Sequence, residues 1–450
     1  MAFSFRMNQK KSPSKKRRPS SWLTTTITIL VTMMAGFANA RIHHLFVGNH
    51  PGPARLYALA FDDEPPYRLE VTANMSADAN HAWIAFDANK TNVYGASLTK
   101  PAIASYEVVV TGNDGDSEGG QTKNVTLELR NSVAAAGACF NRTAAFVLPH
   151  PVYNRVYTGS WPGPEACAMA LSTTPSSPSP EEGGSTKGGA LQEVVQSWHY
   201  ARNNSAIHGL ALDPDGMTIY SADLSGDAIW SHSLSPDGTG RVVGLRGWYD
   251  LPAEQRGAHP RHLVVHPNGR VLYVVMEAAN EVVAYAIDPE LRVVARELSR
   301  HSLLPEGADP TKYWSTEVML SRPFEGEKGT PKYLWATARA WPGNKDDGTE
   351  NEPHPGFISA FRLGGETGDQ IAEQLFRVPT TTLNGIANAI SPAPWSEDWA
   401  AMTDIGTGYV QMWRMERTEE GDGTVRTTAR DVARVDIKDG GCCANAIWYD

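Results

Sequence analysis

The chain has 450 residues, with 40 Gly, 30 Pro, 4 Cys and a formal net charge of −10. An acidic balance argues against nucleic acid or an anionic membrane as partner, and any anionic ligand then needs a local basic pocket. Frequent turn formers and almost no helical periodicity point to an all-β chain.

Residues 1–40 read as a signal peptide. Arg6, Lys10, Lys11, Lys15, Lys16, Arg17 and Arg18 form a basic start, Trp22 to Phe37 is moderately apolar, and Ala38-Asn39-Ala40 is a small-residue cleavage site. The apolar run is short and rich in Thr, so no stable membrane span is expected. A transit peptide and an uncleaved anchor are the alternatives. Five sequons, at Asn74, Asn89, Asn124, Asn141 and Asn203, agree with a secreted, glycosylated protein.

From residue 41 the chain reads as strands. Ile42-His43-His44-Leu45-Phe46-Val47-Gly48 looks like the second strand of a unit that lacks its first. Leu56 to Phe61 and Leu69 to Thr72 continue that unit. Looser units begin near Ala82-Trp83-Ile84 and Ala144-Ala145-Phe146. The clearest copy follows. Ile207-His208-Gly209-Leu210-Ala211-Leu212-Asp213-Pro214-Asp215-Gly216 matches Pro260-Arg261-His262-Leu263-Val264-Val265-His266-Pro267-Asn268-Gly269 at an offset of 53, without a gap. Each is an apolar strand, a tight turn and a second strand; a period of about 50 suits a blade of four strands. Further units start near Glu317-Val318-Met319 and Ala387-Asn388-Ala389. The chain closes on Cys443 to Asp450, which reads as a first strand with nothing after it. The expectation is a seven-bladed β-propeller over 41–450, closed by pairing the C-terminal strand with the N-terminal strands. Two stacked β-sandwiches would not explain the common period. Loops near 112–123 and 173–189, rich in Gly, Ser, Pro and acidic residues, are expected to be disordered.

Cys139 and Cys167 fall in neighbouring strands or turns of the third unit and read either as a disulfide or as two buried thiols. Cys442 and Cys443 are adjacent, where a bridge is unusual. No spacing suggests a zinc site or any other metal. A homo-oligomer is compatible with the sequence.

The hairpin geometry selects candidate site residues. The start of a blade's first strand and the end of its second share one face of the ring. Arg261 stands eight residues before Gly269 and Glu277 eight after it, so the two meet at one rim. His208 and Asp223 are the corresponding pair one unit earlier, and Arg339 ends the second strand of the next. His262 is expected to point into blade packing. Two arginines suit carboxylate recognition, and a histidine beside a carboxylate suits proton transfer. Structural ion pairs or turn contacts are the competing reading for each residue alone. No serine stands in a nucleophile elbow and no Gly-rich loop opens a helix for phosphate.

The His208-Gly-Leu-Ala-Leu-Asp-Pro-Asp-Gly segment, His259-Pro-Arg261-His262, Ala336-Thr337-Ala338-Arg339 and the closing Gly441-Cys442-Cys443-Ala444-Asn445-Ala446 together resemble the fungal carboxy-cis,cis-muconate cyclases. These sit among the seven-bladed lactonase propellers that include bacterial 6-phosphogluconolactonase. The resemblance implies a site of His208, Arg261, Arg339 and Glu277, with Asp223 outside it. It also implies a reaction without metal or cofactor: a carboxylate of a small anionic polycarboxylate, 3-carboxy-cis,cis-muconate, closes a lactone ring. His208 or Glu277 would move the proton and the arginines would hold carboxylates. A secreted leader departs from the intracellular role best known in that family. A secreted lactone hydrolase and a non-catalytic binding propeller are the alternative readings.

Cleavage after Ala40 predicts that N-terminal sequencing of protein recovered from culture medium starts at Arg41. Full-length, unglycosylated protein confined to the cytosol would defeat this reading.

Overall fold

Strand follows strand from Ile42 to Trp448 in the computed structural model, which describes residues 41–112, 123–175, 188–322, 329–341, 343, 352–385, 387–438 and 442–450. The signal-peptide reading of residues 1–40 therefore lies outside the described residues. Among the described residues, twenty-eight strands form seven four-stranded antiparallel sheets. Among the described residues, the other regular structure is three short 3₁₀ turns at Gly137–Cys139, Ala253–Gln255 and Pro310–Lys312.

The sheets are the blades of a ring. Blades 2 to 7 each use four consecutive strands. Their innermost strands are His81–Phe86, Ala144–Pro149, Ile207–Leu212, Pro260–Val265, Tyr313–Leu320 and Ala387–Pro392. The second strand of a blade lies between sheet neighbours and between flanking blades, so it needs apolar or self-satisfied residues on both faces. Val271–Met276 (Val-Leu-Tyr-Val-Val-Met) is buried throughout, as are Thr218–Asp223 and Trp399–Asp404. The outermost strands face water on one side and alternate accordingly, as in Arg68–Ser76 and Val242–Asp250. The turns that define the repeat need left-handed backbone at their glycines: φ is +70° at Gly216 and +72° at Gly269.

Blade 1 joins the two ends of the chain. Ala446–Trp448 is its innermost strand and pairs antiparallel with Ile42–Val47, matching Val47 with Ala446 and Leu45 with Trp448. Arg55–Asp62 and Arg68–Ser76 complete the sheet. Trp448 is buried edge-on against Trp395, with ring centroids 4.6 Å apart, and its Nε1 donates to Ser391 O at 3.0 Å. The Asn445 side chain ties this strand to blade 2, accepting from Ile84 N at 2.8 Å and donating to Ile84 O at 2.9 Å.

Two expectations change, and one open pair of readings is decided. Thr173, Thr174, Gly188 and Gly189 belong to the packed blades, because Asn92 Nδ2 donates to Gly188 O and Tyr94 OH donates to Gly189 O. Both carbonyls are thereby drawn into the blade 2–blade 3 contact. Residues 113–122 and 176–187 of the two loops lie outside the described residues. Second, Cys442 and Cys443 are bridged to each other, buried in the blade 1 core. The two readings of Cys139 and Cys167 resolve to a disulfide, with Cα atoms 5.5 Å apart. The asparagines of all five sequons are exposed.

Closure by the final strand makes the ring depend on it. Deleting Cys443 to Asp450 removes the inner strand of blade 1 and opens the sheet edges on both sides. Aggregation or loss of a cooperative melt is expected. Trp448→Ala alone should cost about 3–5 kcal/mol, as for other buried tryptophans. Thermal melts test both, and a truncated protein that melts like the intact one would show that the ends do not share a blade.

Candidate active site

A β-bulge recurs near the start of the innermost strand in every blade from 2 to 7. Register shifts fall between His81 and Trp83, Ala144 and Phe146, Ile207 and Gly209, Pro260 and His262, Ser315 and Glu317, and Ala387 and Ala389. The skipped residues are Ala82, Ala145, His208, Arg261, Thr316 and Asn388. A bulge inserts one residue without a ladder partner and interrupts the two-residue alternation, so neighbours in sequence can face the same side. Five of the six skipped residues line one cavity of about 340 Å³ at the mouth of the central channel.

On each second strand, the residue that follows the partner of the last position before the bulge supplies the rest of the wall. By register these positions are Leu98, Trp161, Leu224, Glu277, Arg339 and Ile405, and five of them line the same cavity. Charge is unevenly placed among these equivalent positions. Blades 4 to 6 present His208, Arg261, Glu277 and Arg339, whereas blades 2 and 3 present Ala82, Leu98, Ala145 and Trp161. The mouth thus has a charged side and an apolar, aromatic side.

The charged side is tightly connected. Arg261 Nε lies 2.8 Å from Glu277 Oε2, and Arg339 Nη2 lies 3.7 Å from the same oxygen. Arg261 Nη1 also donates to Thr316 O, the carbonyl of the bulged residue in the next blade. The Arg339 guanidinium stands over Trp314, 5.0 Å from the ring centroid, and Trp314 stacks on Trp341 at 3.9 Å. Burial, reinforced by Arg261 and opposed by Glu277, pushes the Arg339 pKa down to about 10, so it stays cationic at neutral pH. His208 Nδ1 is 3.0 Å from His262 Nε2, and Trp161 meets the His208 ring edge-on. Burial, then the neighbouring Arg261, His262 and Arg339, hold the His208 imidazole well below its usual range. It is neutral in the open pocket.

Four of the five rim candidates therefore meet as expected: His208, Arg261, Glu277 and Arg339. Asp223 does not. It pairs with Ile207 as Met276 pairs with Pro260, so Leu224, and not Asp223, is the equivalent of Glu277. One residue short of the rim, its carboxylate turns into its own blade. There it accepts from Ser205 Oγ, Ala206 N, Gly226 N and Trp230 Nε1.

His262 also departs from expectation. It faces the channel, because the bulge at Arg261 breaks the alternation that would have turned it inward. Gly209 makes room for it: a Cβ there would sit 2.6 Å from Arg261 O and 3.0 Å from His262 Cα. Glu317, whose Oε2 is 2.7 Å from His262 Nδ1, was not selected from sequence at all. Glu317 follows the blade 6 bulge as His262 follows the blade 5 bulge, an equivalence that only the strand pairing shows.

The seven-bladed ring is shared with lactonase-type propellers. The sequence profile "Lactonase, 7-bladed beta-propeller" matches residues 184–325, which span blades 4 and 5 and the inner strand of blade 6. A putative 6-phosphogluconolactonase from Bacteroides uniformis shares the fold, with 19% identity, a TM-score of 0.60, and coverage of 90% of this chain and 99% of that one. The periplasmic gluconolactonase PpgL of Pseudomonas aeruginosa does too, at 16% identity and a TM-score of 0.62, covering 91% and 99%. The chain belongs to the carboxy-cis,cis-muconate cyclase family. It is 30% identical over 425 residues to the carboxy-cis,cis-muconate cyclase of Neurospora crassa, which covers 91% of this chain and 100% of that protein. Muconate cycloisomerase 1 of Cutaneotrichosporon cutaneum is 23% identical over 368 residues, covering 79% of this chain and 86% of that protein.

An anion in this mouth offsets the repulsion that Arg261 and Arg339 exert on a His208 proton. Its pKa rises, so binding takes up protons at the pH where His208 titrates. Calorimetric titration with an unreactive tricarboxylate, in two buffers of different ionisation enthalpy, should show net uptake that His208→Gln abolishes. Equal uptake by that variant, or proton-neutral binding, would reject the coupling.

Proposed function

We propose that this protein is a cycloisomerase that lactonises 3-carboxy-cis,cis-muconate or a closely related unsaturated polycarboxylate. The observation that carries the reading is the divided mouth, with buried Arg261 and half-buried Arg339 held by one glutamate on one side and tryptophans on the other. A conjugated diene is flat and apolar, and its carboxylates are charged. It fits with its plane toward Trp161 and Trp83 and its carboxylates toward Arg261 and Arg339.

The chemistry follows from those places. One substrate carboxylate oxygen forms a C–O bond to a carbon of the conjugated double bond, closing the five-membered ring. The displaced π pair moves toward the neighbouring carboxylate as an enolate. Arg261 and Arg339, fixed in advance through Glu277, stabilise that charge without reorganising. The enolate carbon then takes a proton from His208 Nε2, and His208 returns to its neutral form. Glu277 is ion-paired with both arginines, which suits a positioning role, so the proton is assigned to His208.

Export from the cell is part of the proposal. The leader pattern, five exposed sequon asparagines and two disulfides support it.

Turnover of 3-carboxy-cis,cis-muconate by the purified chain is read from the falling ultraviolet absorbance of the diene. Arg261→Ala should raise KM on the order of 30- to 150-fold, equivalent to about 2–3 kcal/mol. His208→Ala should lower kcat by about 10²–10⁴-fold. Wild-type kinetics in the Arg261, His208, Glu277 and Arg339 variants would reject the site. Hydrolysis of sugar lactones with no turnover of carboxymuconate would instead make the protein a lactone hydrolase.

A further inference from the structure

We infer that Glu317 and His262 form a relay behind His208 that fixes its tautomer and makes its Nε2 the proton-carrying atom of the pocket. The inference rests on the reading of His208 as the proton carrier.

Hydrogen-bond logic leads from one end of the chain to the other. Glu317 is buried; its Oε1 accepts from Val318 N at 3.1 Å and its Oε2 lies 2.7 Å from His262 Nδ1. An ionised carboxylate only accepts, so the His262 proton sits on Nδ1. Burial keeps His262 neutral, against the pull of Glu317, and its Nε2 is then a bare acceptor. The facing His208 Nδ1, 3.0 Å away, must donate. That leaves the His208 Nε2 lone pair to face the cavity.

Packing holds each member in register. His262 meets Trp83 edge-on at 4.8 Å and Phe146 at 5.5 Å, and Gly209 leaves the space it crosses. His262, Trp83, Phe146 and Glu317 all occupy the position after the bulge, so the relay is a second tier of the channel beneath the rim. The charges facing His208 are Arg261 and Glu277 from blade 5 and Arg339 from blade 6, with His50 in the same cavity from blade 1. Arg261 and Arg339 oppose a proton on His208. Glu277, beside the arginines, and Glu317, reached through His262, are the negative charges that support one. When His208 Nε2 gains a proton, Nδ1–H stays bonded to His262 and the cation is stabilised along the chain. When that proton passes to the enolate carbon, the neutral arrangement returns.

Glu317 and His262 are therefore positioning residues. Glu317→Gln supplies an amide N–H to His262 Nδ1, reverses its tautomer, and leaves His208 Nδ1 to accept and Nε2 to carry hydrogen. Nitrogen-15 spectra of the intact histidine-labelled chain read this directly, without substrate. The wild type should show Nε2 unprotonated on His208, and Glu317→Gln should move the hydrogen to Nε2. In the ultraviolet assay Glu317→Gln should lower kcat by about 10²–10⁴-fold with little change in KM. The limb of the kcat profile on which activity falls with rising pH should move to lower pH, because a supporting negative charge is gone. Glu317→Asp, which keeps the carboxylate, should recover part of kcat.

A wild-type His208 carrying hydrogen on Nε2 would overturn the relay whether or not any variant folds. Wild-type kcat and pH profile in a folded Glu317→Gln would overturn its role in proton transfer. The expected spectra in a chain that does not turn over carboxymuconate would keep the relay and reject the proposed substrate.

Discussion

The bulge at the head of the inner strand in blades 2 to 7 is the constraint on which the rest of the site depends. In an uninterrupted strand, consecutive side chains point to opposite faces. Position 261 could then face the channel only if position 262 did not. One extra residue per strand removes that restriction, so each of these six blades offers two adjacent positions to the axis. The first makes the rim and the second makes the tier below. Arg261 and His262 use both, and Glu317 meets His262 because blade 6 carries the same irregularity.

Repetition then sets what divergence can do. A ring of equivalent positions is nearly symmetric in backbone, so its chemistry comes from which side chain fills each place. Trp161, Leu224, Glu277, Arg339 and Ile405 occupy one equivalent position in five successive blades and include both signs of charge. The charged places cluster in blades 4 to 6, so Glu277 can reach both Arg261 and Arg339. Had the same residues alternated with apolar ones around the ring, those contacts would be lost. A buried and a half-buried cation would then lack a common counter-charge, a costly arrangement.

Closure matters for the same reason. Asn445 joins the last strand to Ile84, and Asn388 Nδ2 and Thr403 Oγ1 both donate to Ala444 O. The terminal segment is thus bonded to blades 2 and 7 as well as to its own sheet. Ala444 and Asn388 also line the cavity, so the contacts that lock the ring lie at the mouth where the charged residues gather.

By itself the sequence determined the number of blades, the shared terminal blade and four members of the site. Those features follow from local pattern: a strand–turn–strand unit repeated at fixed spacing, with Arg261 and Glu277 equidistant from Gly269. Asp223 was misplaced because the blade 4 pair was counted one residue short. Side-chain direction reverses with each residue in a strand, so that error moved a structural turn carboxylate onto the rim. His262 and Glu317 were decided only by tertiary structure. A bulge is a property of two paired strands, and nothing within one strand announces it. The two residues are 55 apart in sequence and belong to different blades, and only packing those blades around a common axis brings an imidazole and a carboxylate within hydrogen-bond distance.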